Sequence, residues 1–266
     1  MATFNKRGYK APKEKDEKGV NTNVADIEQI NIDEKDSATA KAFDTLDQTA
    51  NRAEDFAAKN SKAIIGFLTV VALATVSYLM YQKFIAEPNQ EEAANELFVA
   101  QQNFQKAVDD VTGTKSDSLY NLVLKGSEGK FGVVKIADEY SGTDAGNLAN
   151  YYAGIAYLNT KKYAEAITSL EKFSSDDIML STLAKGAIGD AYAQQNKQKE
   201  ALEFYIKAAD ANKNDFTRPR FLLKAGKTAL ALGNKADALK YFTDIKDNYE
   251  ATPEGQGIDA LIGLAQ

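Results

Sequence analysis

Apolar positions are sparse over the first 36 residues and then recur in steps of three and four. They next run unbroken for twenty residues and return to helical spacing as far as the last residue. The unbroken run is Ala63 to Gln82, AIIGFLTVVALATVSYLMYQ; it holds no ionisable group except Tyr78 and Tyr81 and is closed by Lys62 and Lys83. At 1.5 Å per residue such a run covers about 30 Å as a helix, the thickness of a bilayer's hydrocarbon core. Both tyrosines fall at its far end, where aromatic rings favour the membrane interface. Residues 62–83 are therefore predicted to form a single transmembrane helix. The alternative, a buried core helix, is usually shorter and keeps a polar edge.

Ahead of that run, Phe43, Leu46, Ala50, Ala53 and Ala57 form one narrow apolar stripe, which predicts an amphipathic juxtamembrane helix over residues 37–61. It suits a membrane surface or a partner helix. Residues 1–36 are charged, turn-rich and nearly devoid of large apolar side chains, so they are predicted to be disordered. Six Lys and Arg between residues 6 and 18 are interleaved with Glu14, Asp16 and Glu17. This cluster reads as a solvated tail, with anionic lipid or ribosomal RNA as its functional alternative. Residues 1–62 carry eleven Lys and Arg, whereas residues 83–102 carry only Lys83. Positive charge stays inside, so the N-terminus is expected in the cytoplasm and residues 84–266 across the membrane. An apolar segment that starts after 62 residues is too far along to be a cleavable signal, so it is expected to persist as an anchor.

Beyond the anchor the chain repeats itself. Tyr151–Phe173, Gly186–Ala208 and Leu223–Ile245 align without gaps; Gly154, Gly189 and Gly226 coincide, as do Ala166, Ala201 and Ala238, at intervals of 35 and 37 residues. Each unit reads as two helices with a small residue and glycine at positions seven and eight, a turn near position fifteen, and alanine at position twenty. A large residue follows at Leu170, Tyr205 and Phe242. Glycine and alanine suit a close crossing of the two helices, which leaves no room for larger side chains. Upstream, residues 91–111 have helical spacing and a further helix pair is expected at about 117–140; Gly126, Gly129 and Gly132 read as a turn rather than a phosphate-binding loop. Residues 253–265 open with Pro253 and suit a capping helix, which an open stack of repeats requires.

Composition narrows the chemistry. The chain of 266 residues has no Cys, His or Trp, which removes disulfides, thiol nucleophiles, Cys/His zinc sites and histidine relays. Its net charge of −6 gives no basic field for nucleic acid. The adjacent acids Asp109 with Asp110 and Asp176 with Asp177, like Arg218 and Arg220, read as solvated charge at helix ends. No catalytic, cofactor-binding or metal-binding residue is expected. A stack of helix pairs instead offers a concave face to a peptide or partner helix. Positions two, five, nine, twelve and thirteen of the units put Leu148, Tyr151, Ile155, Leu158 and Asn159 on that face. Leu183, Gly186, Asp190, Ala193 and Gln194 follow from the second unit, then Arg220, Leu223, Lys227, Leu230 and Ala231 from the third. The face runs from apolar to basic, and the helix at 91–111 is expected to cover part of it or to leave it open.

The unit pattern resembles the tetratricopeptide repeat, with Gly154/Tyr157 and Gly189/Tyr192 in the Gly/Tyr positions; the opening Trp and final Pro are absent and Ala229 replaces the third Tyr. The resemblance implies an all-α chain: a single transmembrane helix followed by an α-solenoid over residues 91–266, with three clear repeats, a partial N-terminal repeat and a C-terminal capping helix. The order of tail, anchor, EEAANELF and DEYSGTDAGNLANYYAGIAYL is also similar to the bacterial YfgM-like family, periplasmic repeat proteins anchored in the inner membrane. That resemblance implies partnership with the SecYEG export channel and with periplasmic chaperones or nascent chains. Alternatives are an envelope-assembly scaffold for another membrane complex, a receptor anchored with the opposite orientation, or an enzyme.

Overall fold

The computed structural model describes residues 38–266, with side chains from Lys41 onward. The tail expected to be disordered lies outside the described residues. By packing, the chain divides into a unit ending at Leu73 and a unit from Ala74 to Gln266.

The first long element, α1, runs Ala38–Tyr81 as one helix, so the expected boundary between an amphipathic helix and the membrane segment is not a break in the backbone. Its apolar side chains stay uncovered, among them Phe43, Leu46, Phe67, Leu68, Leu73 and Val76. One helix among the described residues is long and apolar enough to cross a membrane. A five-residue π segment, Gln82–Ala86, follows, and then α2, Glu87–Val108, with Pro88 in its first turn. The proline ring crowds the carbonyl four residues back, that of Phe84, and the widened turn relieves the clash.

From α2 onward the chain folds as antiparallel helix pairs. α3 (Ser116–Lys125) packs on α2, and α4 (Val133–Glu139) follows a two-residue-strand hairpin, β1 (Gly126–Ser127) with β2 (Lys130–Phe131). Gly126 and Gly129 hold positive φ in that hairpin, as the reading of the glycine triplet as a turn requires. Glu96 of α2 ties it down, accepting from Lys130 Nζ at 2.8 Å and from the Phe131 amide at 2.9 Å. These contacts hold the Glu96 carboxyl below the usual carboxylate range, with the Lys130 hydrogen bond as the chief cause.

Three regular units come next: α5 (Asp144–Asn159) with α6 (Tyr163–Lys172), α7 (Ile178–Gln194) with α8 (Gln198–Ala211), and α9 (Arg218–Ala231) with α10 (Lys235–Tyr249). The first helix of each begins ahead of the aligned segment, capped in α5 by Thr143, which accepts from the Gly146 amide, and in α7 by Asp177, which accepts from Met179 and Leu180. All three units close alike. Lys161, Asn196 and Gly233 take φ of 62°, 59° and 77°. The next amide then reaches back five residues, Lys162 to Tyr157, Lys197 to Tyr192 and Asn234 to Ala229, at 2.8–3.0 Å. This is the left-handed helix ending that satisfies carbonyls left free by the last turn.

The aligned glycines sit where the two helices of a unit cross. A Cβ on Gly154 would strike the Leu170 side chain, one on Gly189 the Tyr205 ring at 2.7 Å, and one on Gly226 the Phe242 ring. Ala166, Ala201 and Ala238 are fully buried at the same crossings. Two clusters carry the core here, one around Ala166, Leu170, Ile188 and Ala191 and one around Ala201, Phe221, Phe242 and Ile245. The last helix, α11 (Ile258–Ala265), packs on α10.

Candidate functional site

Five of the residues predicted to face a partner, Leu158, Asn159, Asp190, Ala193 and Gln194, meet in one place. Leu158 and Asn159 at the end of α5, with Asp190 and Gln194 of α7, line a cavity of about 480 Å³ together with Ala193, Lys161, Tyr163, Tyr205 and Lys224. The sequence places them there through the repeat, since the ends of α5 and α7 lie on adjacent units one period apart.

Asp190 is the centre of this cavity and is fully engaged. Lys224 of α9 donates to both of its oxygens, at 2.5 and 2.8 Å, and the Tyr205 hydroxyl donates at 2.8 Å. One carboxylate thus joins the first helix of the second unit to its own second helix and to the first helix of the third. Burial, reinforced by the adjacent Asp190 charge, holds the Tyr205 hydroxyl protonated well above the usual phenol range. Asp190 and Lys224 are each about a third exposed, 33% and 29% of the side chain, so the pair fixes the geometry of adjacent units more than it adds stability. What faces outward around it is polar but uncharged at Asn159 and Gln194, with Leu158 as an apolar wall and Lys161 as an exposed cation at the rim. Tyr163 donates to Gln194 across the cavity at 3.4 Å. Such a surface suits a polypeptide segment that offers one apolar side chain and backbone groups.

The other predicted residues lie elsewhere. Leu148 packs into the cluster that contains Ala93, Leu97 and Ala100 of α2, so the N-terminal helix covers this end of the face. Tyr151 stands against Tyr152 and Phe173, with ring centroids 6.0 and 5.2 Å apart, and burial raises its hydroxyl pKa. Ile155 packs with it against the cluster between α5, α6 and α7. Arg220 and Lys227 are exposed on α9 but do not line the cavity. Gly186, expected on the open face, is buried against the Phe221 ring, because α7 and α9 approach too closely there for a side chain.

Sequence reasoning missed Tyr205 and Lys224. Lys224 had a legible signal, an opposite charge 34 residues after Asp190, about one repeat away. A larger cavity, about 650 Å³, lies among α3, α4, α5 and α6, with Val134, Lys135, Asp138, Tyr157 and Lys172 in its lining. It holds none of the residues predicted to face a partner.

The tetratricopeptide repeat family profile matches residues 184–215, which cover most of α7, all of α8 and the turn beyond. Among curated proteins, none matches the chain. The matched unit is the one that supplies Asp190 and Tyr205; the units on either side repeat its crossing and turn, and the preceding unit also repeats its N-cap hydrogen bond. The chain is an all-α tetratricopeptide solenoid that follows a candidate membrane-spanning helix. Repeats of this type are protein-interaction scaffolds and as a rule carry no catalysis of their own.

Proposed function

We propose that the protein is a single-pass component of a bacterial inner membrane, with a cytoplasmic N-terminus and periplasmic repeats that hold a polypeptide partner beside the Sec export channel. The observation that carries this reading is the union, in one chain, of an uncovered apolar helix with a repeat array whose cavity suits an extended segment. The excess of Lys and Arg before the helix supports the orientation. The resemblance to YfgM-like proteins supports the choice of channel, with emerging chains or periplasmic chaperones as the partners. An anchor raises the local concentration of a weak binder at a membrane exit, so modest groove affinity suffices.

Photocrosslinking amino acids in the full-length protein test this division of labour. Probes at Phe43 and Val76 are expected to capture channel subunits, and a probe at Gln194 to capture a periplasmic polypeptide. Gln194 is the exposed groove position, whereas Tyr151 is packed against Phe173. Capture of one unrelated envelope complex at all three positions would replace the export channel with that complex as the partner.

A further inference from the structure

The first repeat unit lacks a ring that the second unit has. The two units align at an interval of 35 residues, so Tyr157 corresponds to Tyr192, Lys162 to Lys197, Ser169 to Phe204 and Lys172 to Lys207. In the second unit these side chains form a stack: the Phe204 and Tyr192 ring centroids are 5.5 Å apart, and Lys207 Nζ stands 4.7 Å over the Phe204 ring. Lys197 approaches Tyr192 at 5.7 Å, and in the first unit Lys162 approaches Tyr157 at 5.8 Å, so the base of the stack is the same in both. Its middle differs. Ser169 offers no ring where Phe204 supplies one.

What stands in place of the ring is the cavity of about 650 Å³ among α3, α4, α5 and α6, since Tyr157, Ser169 and Lys172 all line it. Two further exchanges favour an occupant from outside. Ala153, in the lining, stands where the second unit has the buried Ile188. Thr168 stands where it has Glu203, which leaves Lys172 without the carboxylate that pairs with Lys207 at 2.6 Å. Leu124 and Val134 add apolar walls. Asn150 and Lys172 also line an adjoining hollow of about 590 Å³ whose wall includes Ser141, Asn147 and Ser174. An apolar slot beside polar groups suits an aromatic side chain together with its flanking backbone.

We propose that this cavity binds an aromatic side chain, Phe, Tyr or Trp, of a polypeptide partner: the ring stacks on Tyr157 in the place that Phe204 fills one unit later, and the Lys172 ammonium lies over its outer face. The second unit thus specifies the occupant's chemistry from within the same chain. The site shares no lining residue with the cavity around Asp190, so occupancy of either is measured independently of the other.

The probe is a pentapeptide, Gly-Ser-Phe-Ser-Gly, with fluorine on the phenylalanine ring, titrated against the full-length protein in lipid nanodiscs and followed by fluorine NMR. Saturable binding is expected, weakened about tenfold or more by Ser169→Phe, which fills the slot with the second unit's own residue. Lys172→Ala, at an exposed position that leaves the core untouched, is expected to weaken it about two- to fivefold. Because Ser169→Phe recreates the stack of the second unit, it is expected to melt no lower than the parent; a lower midpoint would show that no ring fits there and overturn the proposal. So would absence of saturable binding, binding indifferent to both variants, or equal competition by a peptide with Leu in place of Phe. N-acetyl-phenylalanine amide separates the two sources of a ring: it is expected to bind about fivefold more weakly than the peptide or worse, and equal affinity would replace the polypeptide with a free aromatic molecule as the occupant.

Discussion

Gly226 shows how much one missing methyl decides. Its Cβ position is filled by the Phe242 ring, a side chain with no exposed surface, so any larger residue must push α10 from α9. Overpacking of this kind costs about 1–3 kcal/mol. Gly226→Leu is expected to lower the thermal midpoint of the repeat domain, measured by circular dichroism; an unchanged midpoint would mean that the two helices do not cross at that residue. The tyrosines make the same point for polarity. Burial raises the phenol pKa of Tyr120, Tyr151, Tyr205 and Tyr249 in the folded state. A group whose folded pKa lies above its unfolded value stabilises the fold below the ordinary phenol value of about 10 and loses that contribution as pH rises through it. The fold is thus expected to weaken above about pH 10, with phenolate absorbance from these residues appearing together with loss of helix rather than before it. Phenolate formation in a still-helical protein would contradict it.

At the scale of the element, α1 and α10 are both amphipathic or apolar helices, yet they owe their stability to different surroundings. α10 is held by a buried face made of Ala238, Phe242 and Ile245. α1 has no such face: its apolar residues from Ile65 to Tyr81 are exposed, as a candidate membrane-spanning helix requires. Leu73 lies near the middle of the apolar run and is 63% exposed. Leu73→Arg is expected to oppose membrane insertion by about 2.5–3.5 kcal/mol. The protein should then shift from the carbonate-resistant membrane fraction to the soluble fraction, while the circular dichroism of the repeats stays unchanged. Retention of the variant in the membrane would show that this helix is not the anchor.

For the whole molecule, the consequence of charge asymmetry is topology. The chain lacks cysteine, so single thiols report location without background. In cells with a permeabilised outer membrane, Ser174→Cys is expected to react with a membrane-impermeant maleimide and Thr45→Cys to react only after the inner membrane is lysed. The reverse pattern would place the repeats in the cytoplasm and remove the export channel as a partner.

The long apolar helix, the three repeat units, the glycine and alanine crossings and the turn at position fifteen were all legible in the sequence. Each follows from local rules: an unbroken apolar run, a fixed period, or a residue small enough to let two backbones approach. The candidate site was legible only in part, because a repeat register says which side a residue takes but not how closely the neighbouring unit packs there. Gly186 and Asp190 hold two of the predicted outward positions on α7, yet Phe221 covers the first while Lys224 and Tyr205 engage the second. Spacing along the chain fixed the helices and their small residues; the distances between helices, set by side chains from other units, decided which surfaces remain available to a partner.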